Sequence, residues 1–88
     1  MKINMTKING QVRLLKEQSD LARSLKSSLL LYQRNLNIHW RGAEIVRTNK
    51  VLDDHVNAFT GVSTELDSIC NDIIRAADAV RRSEELAD

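Results

Sequence analysis

The chain of 88 residues contains no proline, one cysteine and only three aromatic side chains. Without proline, no residue forces a helix to break in its interior. With Cys70 as the single cysteine, no disulfide can form within the chain, so the fold depends on packing. Aromatic residues make up 3% of the chain and charged residues 28%, which is typical of long exposed helices rather than of a sandwich or barrel. The expected fold class is all-α.

The chain also lacks an excess of one charge and a long apolar run. Lys and Arg number 13 and Asp and Glu 12, so no overall field attracts nucleic acid or anionic lipid. The apolar run Leu29–Tyr32 is far shorter than the roughly 20 residues that span a bilayer. The first residues show neither an apolar segment of signal-peptide length nor a small-residue cleavage pattern. We therefore expect a protein that is cytoplasmic when made, with no nucleic-acid partner and no membrane insertion.

The first half of the chain carries an apolar stripe at helical spacing. A line of heptad positions is filled by Leu15, Ala22, Leu29 and Leu36, intervening positions by Leu25 and Tyr32, and a neighbouring line by Leu14 and Leu21. This predicts a first helix over about 6–38, capped by the hydroxyl of Thr6. The stripe is wider than one facing helix can cover. We therefore predict a partner interface formed by Leu14, Leu21, Leu25, Leu29 and Tyr32.

The second half follows a single heptad line. Its members recur every seven residues: Ile45, Leu52, Phe59, Leu66, Ile73 and Val80. The line predicts a second helix over about 43–84, with the members from Ile45 to Ile73 forming the seam of a hairpin. Gly61 interrupts this helix, either to permit close helix approach or a slight bend, or as a tolerated weakness. Residues 1–88 are thus expected to form one domain.

Trp40-Arg41-Gly42 lies between the two predicted helices, in a turn over about 39–42. Tryptophan can bury a large apolar surface across the hairpin end or against a partner, and glycine accepts turn dihedrals that other residues resist. The prediction is an antiparallel two-helix hairpin. Because a lone hairpin leaves apolar surface exposed to water, we expect a second hairpin to complete a four-helix bundle.

Catalytic and metal-binding patterns are not found in the sequence. His39 and His55 form neither an E-x-x-H nor an H-x-x-x-H set, although His55 is expected at the edge of the seam with a hydrogen bond. Cys70 has no neighbouring histidine and falls in a helix segment that reads as buried. We therefore predict no catalytic residue, no metal and no cofactor, and a protein that is not an enzyme.

A central W-x-G between two helices, in a chain of about ninety residues, resembles the small WXG (ESAT-like) proteins of type VII, or ESX, secretion. Trp40 and Gly42 match the family motif. The resemblance implies antiparallel helical hairpins that pair as homodimers or heterodimers into four-helix bundles. It also implies passage through an ATPase-driven secretion machine of Gram-positive bacteria without a cleaved signal peptide.

The sequence departs from this family at the export signal, an aromatic-x-x-x-acidic pattern after the second helix. Phe59 is followed four residues later by Ser63, and the nearest match, Ile74-x-x-x-Asp78, has isoleucine in place of the aromatic residue. Either a partner supplies the signal, or this member uses a degenerate one. The broader group includes small helical proteins that bind the N-terminal helical domain of LXG toxins and target them for export.

The predicted function is therefore that of a dimerising partner or chaperone-like targeting factor for a larger secreted LXG-type toxin. The alternative is a cytoplasmic coiled-coil adaptor or structural protein unrelated to secretion. Both functions predict helices and oligomers, so the helical pattern alone does not separate them.

Overall fold

The computed structural model describes residues 3–87, which are built from two long α-helices. Helix α1 runs over Met5–His39 and helix α2 over Ala43–Ala87, and three residues connect them. The described part of the chain contains no strand. The predicted all-α class, with two helices packed against each other, is confirmed.

The two helices run antiparallel. Hydrogen bonds link Ser19 Oγ to the carbonyl of Ser63 at 3.2 Å and Gln33 Nε2 to Asn49 Oδ1 at 3.2 Å, so residue numbers fall along α2 as they rise along α1. At the free end, the backbone N–H of Ile3 donates to the Glu84 carboxylate at 2.9 Å. The resulting rod measures 70 × 16 × 13 Å.

Asn4, rather than Thr6, caps helix α1. Asn4 has extended dihedrals, and its Oδ1 accepts from the backbone N–H of Lys7 at 3.0 Å. Asparagine is among the strongest N-cap residues because its short side chain reaches the N–H groups that lack helical partners. Thr6 therefore lies inside the first turn, and the helix begins at Met5.

Buried and half-buried residues follow alternating spacings of three and four along both helices, as in a coiled coil. In α1 they include Val12, Leu15, Ser19, Ala22, Lys26, Leu29, Gln33 and Leu36. In α2 they include Ile45, Asn49, Leu52, Val56, Phe59, Ser63, Leu66, Cys70, Ile73 and Ala77. We call these two sets the seam. Polar residues therefore occupy seam positions of α1 that the apolar pattern assigned to Leu25 and Tyr32, both of which are exposed.

The core of the seam is narrow and consists mostly of small side chains. Seven of the described residues are buried: Val12, Ser19, Ala22, Ile45, Ser63, Cys70 and Ala77. The thiol of Cys70 is completely buried and lies 3.7 Å from the carbonyl oxygen of Val12. Small residues on both helices leave no room for larger side chains between them, so this core is sensitive to added volume.

Gly42, in the connection, and Gly61, in α2, have different roles. A Cβ built at Gly61 meets no atom within 4 Å, so of the alternatives for this glycine close helix approach is excluded. Gly42 has φ of +117°, in a region that residues with a side chain rarely adopt. Glycine is therefore required by the backbone at Gly42 but not by packing at Gly61.

Candidate interaction face

One side of the hairpin exposes aliphatic side chains from both helices. These are Leu14, Leu21 and Leu25 of α1 and Val62 and Ile69 of α2, each between 43% and 57% exposed. We call this set the apolar face. Its members recur at helical spacing on each helix, so they form a continuous surface rather than isolated exposed residues.

Two adjoining grooves place Leu14, Leu21, Leu25 and Val62 on one side, and Ile69 follows Val62 by seven residues on the same line of its helix. The first, of about 200 Å³, is lined by Gln18, Leu21, Ala22, Leu25, Phe59, Val62 and Leu66. The second, of about 420 Å³, is lined by Gln11, Leu14, Leu15 and Gln18. Gln18 belongs to both grooves, and no charged residue lines either of them. A partner helix can therefore insert apolar side chains here without burying a charge of this chain.

A different side of the hairpin carries charges and hydrogen bonds. A groove of about 400 Å³ is lined there by Lys16, Asp20, Arg23, Asp67 and Asn71. Arg23 forms ion pairs with Asp20, at 2.9 Å, and with Asp67. Ser19 Oγ donates to the same Asp67 carboxylate at 2.8 Å. The hairpin thus has a polar side with internal partners and an apolar side without them.

The predicted interface residues do not all lie together. Leu14, Leu21 and Leu25 form the α1 part of the apolar face, whereas Leu29 is half-buried in the seam and Tyr32 is exposed outside both grooves. The sequence prediction named no residue of α2 for this face. The seven-residue spacing of Val62 and Ile69 was the available signal.

The predicted seam residues of α2 differ in their burial. Ile45 is buried, and Leu52, Phe59, Leu66 and Ile73 are half-buried. Phe59 and Leu66 also line the smaller groove of the apolar face. Their side chains therefore contribute both to the contact between the helices and to the surface that a partner would meet.

The connection leaves Trp40 about half exposed, with its backbone N–H donating to the Leu36 carbonyl at 2.8 Å. The hairpin itself therefore does not enclose the indole. His39 and His55 are both exposed, and each ring Nδ1 lies within hydrogen-bond distance of the carbonyl four residues earlier. His55, three residues after Leu52 and four before Phe59, is exposed at the edge of the seam, and its hydrogen bond is to a carbonyl of its own helix. Among residues 3–87 we find no group of three or more His, Cys, Asp or Glu placed to hold a metal.

The hairpin exposes far more surface than a compact protein of its size. Its accessible area is 6932 Å², against about 5,200 Å² expected for a compact monomer of 10.0 kDa. Its radius of gyration is 20.1 Å, against about 12 Å expected for this chain length. The excess of about 1,700 Å² is the amount of surface that one partner contributes to a large interface.

No family model, curated protein or solved structure matches this chain. Within residues 3–87, neither helix contains a segment both long enough and apolar enough to cross a membrane.

Proposed function

We propose that this protein is a non-enzymatic, WXG-like partner in type VII secretion. It pairs with a second helical hairpin and targets a larger LXG-type toxin for export. The observation that supports this proposal best is the apolar face, which a two-helix hairpin leaves exposed along with an excess of accessible surface. A second hairpin packed on this face would complete a four-helix bundle and remove the face from water.

The composition of the apolar face favours helix-on-helix binding. Leu14, Leu21 and Leu25 present anchors at spacings of seven and four residues, and the adjoining grooves accept anchors from another helix. The glutamines that line the grooves carry no formal charge, so their desolvation costs less than that of a carboxylate. An amphipathic helix is therefore the partner that fits this surface.

The connection also supports the proposal. The indole of Trp40 is half exposed at the end of the rod, so part of its apolar surface is accessible to a partner. Gly42 provides the left-handed backbone that lets α2 begin immediately after it. These are the two residues that match the WXG motif.

In this proposal the partner supplies the export signal. The degenerate pattern Ile74-x-x-x-Asp78 lies inside α2, where Asp78 accepts from Arg81 at 2.9 Å. This carboxylate already has a partner within the helix. Because Ile74 leaves the pattern without its aromatic residue, the toxin-bound complex in this proposal is recognised through a signal outside this chain.

The test is co-expression with the helical domain of an LXG toxin, followed by light scattering of the purified complex. We expect a stable complex with the unmodified chain, and at least tenfold weaker binding for the double variant Leu21→Ala/Leu25→Ala, because two anchors are truncated. The matched control is Leu30→Ala/Leu31→Ala. It removes two exposed leucines of the same helix that line neither groove of the apolar face.

The outcomes separate the two functions. If the Leu21→Ala/Leu25→Ala variant keeps full binding while remaining helical, the apolar face is not the interface. If the unmodified chain forms no complex with the LXG domain, the targeting function fails and a cytoplasmic coiled-coil adaptor becomes the better description.

A further inference from the structure

The apolar face has a charged border of one sign. On a helix, residues three and four positions apart are neighbours on the surface. Glu17 lies three residues after Leu14 and four before Leu21, Glu65 lies between Val62 and Ile69 in the same way, and Asp72 follows Ile69 by three. We call these three carboxylates the acidic border. None of the 13 Lys and Arg residues lies three or four positions from a member of the apolar face.

The acidic border is exposed and takes no part in the ion pairs formed among residues 3–87. Glu17, Glu65 and Asp72 are all exposed. The ion pairs that residues 3–87 form with one another use the carboxylates of Asp20, Asp67 and Asp78. The border thus remains available to a cation on another chain.

We propose that the apolar face is covered by a non-identical helical partner whose own apolar stripe is bordered by Lys or Arg, and not by a second copy of this chain. This inference rests on the proposed function in one respect, namely that the apolar face binds a helix. It adds the charge that the partner must carry. Basic side chains beside its apolar stripe would meet Glu17, Glu65 and Asp72 around the rim of the interface.

A second copy would bring like charges together. In a twofold dimer the same patch of both chains forms the interface, so the acidic border of one copy faces the acidic border of the other. This holds for parallel and for antiparallel pairs. The basic residues nearest the border, Arg13 four positions before Glu17 and Arg75 three positions after Asp72, are not neighbours of the apolar face itself. Self-association therefore brings carboxylates together at the rim, whereas a basic-bordered helix turns this repulsion into attraction.

Sedimentation equilibrium at 50 and 500 mM NaCl tests whether a second copy of this chain covers the apolar face. We expect the unmodified chain to self-associate weakly at 50 mM, and more strongly at 500 mM because salt screens the repulsion. The variant Glu17→Gln/Glu65→Gln/Asp72→Asn should self-associate at least tenfold more tightly at 50 mM and lose this salt dependence. The control Glu44→Gln/Asp54→Asn/Glu85→Gln has the same net charge but leaves the border intact, so it should behave as the unmodified chain.

Two synthetic helical peptides test the charge of the partner. Both carry one leucine stripe of 28 residues, bordered by Lys in the first and by Glu in the second. We expect the Lys peptide to bind the full chain at least tenfold more tightly at 50 mM NaCl. This preference should fall at 500 mM and disappear in the border-neutralised variant, while circular dichroism shows that the variant remains helical.

A tight homodimer that responds neither to neutralisation nor to salt would overturn the inference, as would equal binding of the two peptides. These failures are distinct from failure of the proposed function. Preference for the Lys peptide without any complex with an LXG domain would keep the charge assignment and remove only the toxin. A complex with an LXG domain that is unaffected by border neutralisation would keep the toxin as the partner and remove the charge assignment.

Discussion

The two halves of the hairpin are held together differently. We call residues 3–25 and 59–87 the free-end half, and the shorter remainder, residues 26–58, the connection half; the first contains six of the seven buried residues and the second only Ile45. Near the connection the seam passes through Lys26, Gln33 and Asn49, all half-buried. The free-end half therefore has a dry, close-packed core, whereas the connection half has a seam open to water.

The hydrogen bonds of the connection half do not replace this core. Gln33 donates to Asn49 and Asp53, at 3.2 and 2.9 Å, and Asn37 and Asn49 exchange bonds at 3.1 and 2.7 Å. Such bonds compete with water and contribute little net free energy when exposed. The stability of this rod is therefore concentrated away from the W-x-G connection. All five residues of the apolar face lie in the free-end half.

The largest expected effect is at Cys70, at the centre of the close-packed half. Replacing Cys70 with Leu adds volume where the side chain is fully buried, and should lower the free energy of unfolding by about 2 kcal/mol. The comparison change Val56→Leu, which adds one side-chain heavy atom where Cys70→Leu adds two, lies at a half-buried position of the connection half and should cost less than about 1 kcal/mol. Urea unfolding followed by circular dichroism measures both. Equal losses at the two positions would contradict the difference between the halves.

A smaller effect is expected at Ser19. Its buried hydroxyl has one proton, which the Ser63 carbonyl and the Asp67 carboxylate share as acceptors at 3.2 and 2.8 Å, and Ser19→Ala removes this donor with almost no change in volume. We expect a loss of about 1 kcal/mol, because Asp67 keeps Arg23 and water as partners. Gln33→Ala, which removes two side-chain bonds, should cost less than about 0.5 kcal/mol because that site is wetter. A larger loss at Gln33 than at Ser19 would reverse the ranking of the halves.

The smallest effect is a gain at Gly61. Alanine fits there without meeting any neighbouring atom, and it reduces the conformational freedom of the unfolded chain. Gly61→Ala should raise the free energy of unfolding by about 0.5 kcal/mol in the same urea titration. A loss of stability would mean that the close-approach role, excluded by the open space around this residue, has to be reconsidered.

Much of the architecture could be predicted from the spacing of apolar residues. The heptad line from Ile45 to Val80 indicated a long second helix, and the apolar stripe from Leu14 to Leu36 indicated a first. The register of α1 was harder to predict. Leu14 and Leu15, and Leu21 and Ala22, are adjacent pairs, so two apolar lines run side by side and either can face the second helix.

The polar part of the seam could not be read from hydrophobic periodicity. Ser19, Lys26 and Gln33 interrupt the apolar line, and periodicity favours Leu25 and Tyr32 in their place. Ser19 is buried because its hydroxyl finds partners 44 and 48 residues away, at Ser63 and Asp67. Pairings this distant depend on the register of the whole hairpin, so no local sequence window contains them. For the same reason, the α2 residues of the apolar face can be identified only once the positions of both helices relative to each other are known.

Because Cys70 is completely buried, its thiol is a natural probe of local opening of this protein. A thiol reagent cannot reach the sulfur while the helices are in contact, so the rate of modification measures how often the free-end half separates. No label has to be engineered, because this is the only cysteine of the chain. A partner that holds the two helices together should slow modification of the Cys70 thiol. The modification rate would then report partner binding at the apolar face, although the buried sulfur atom is not part of that face.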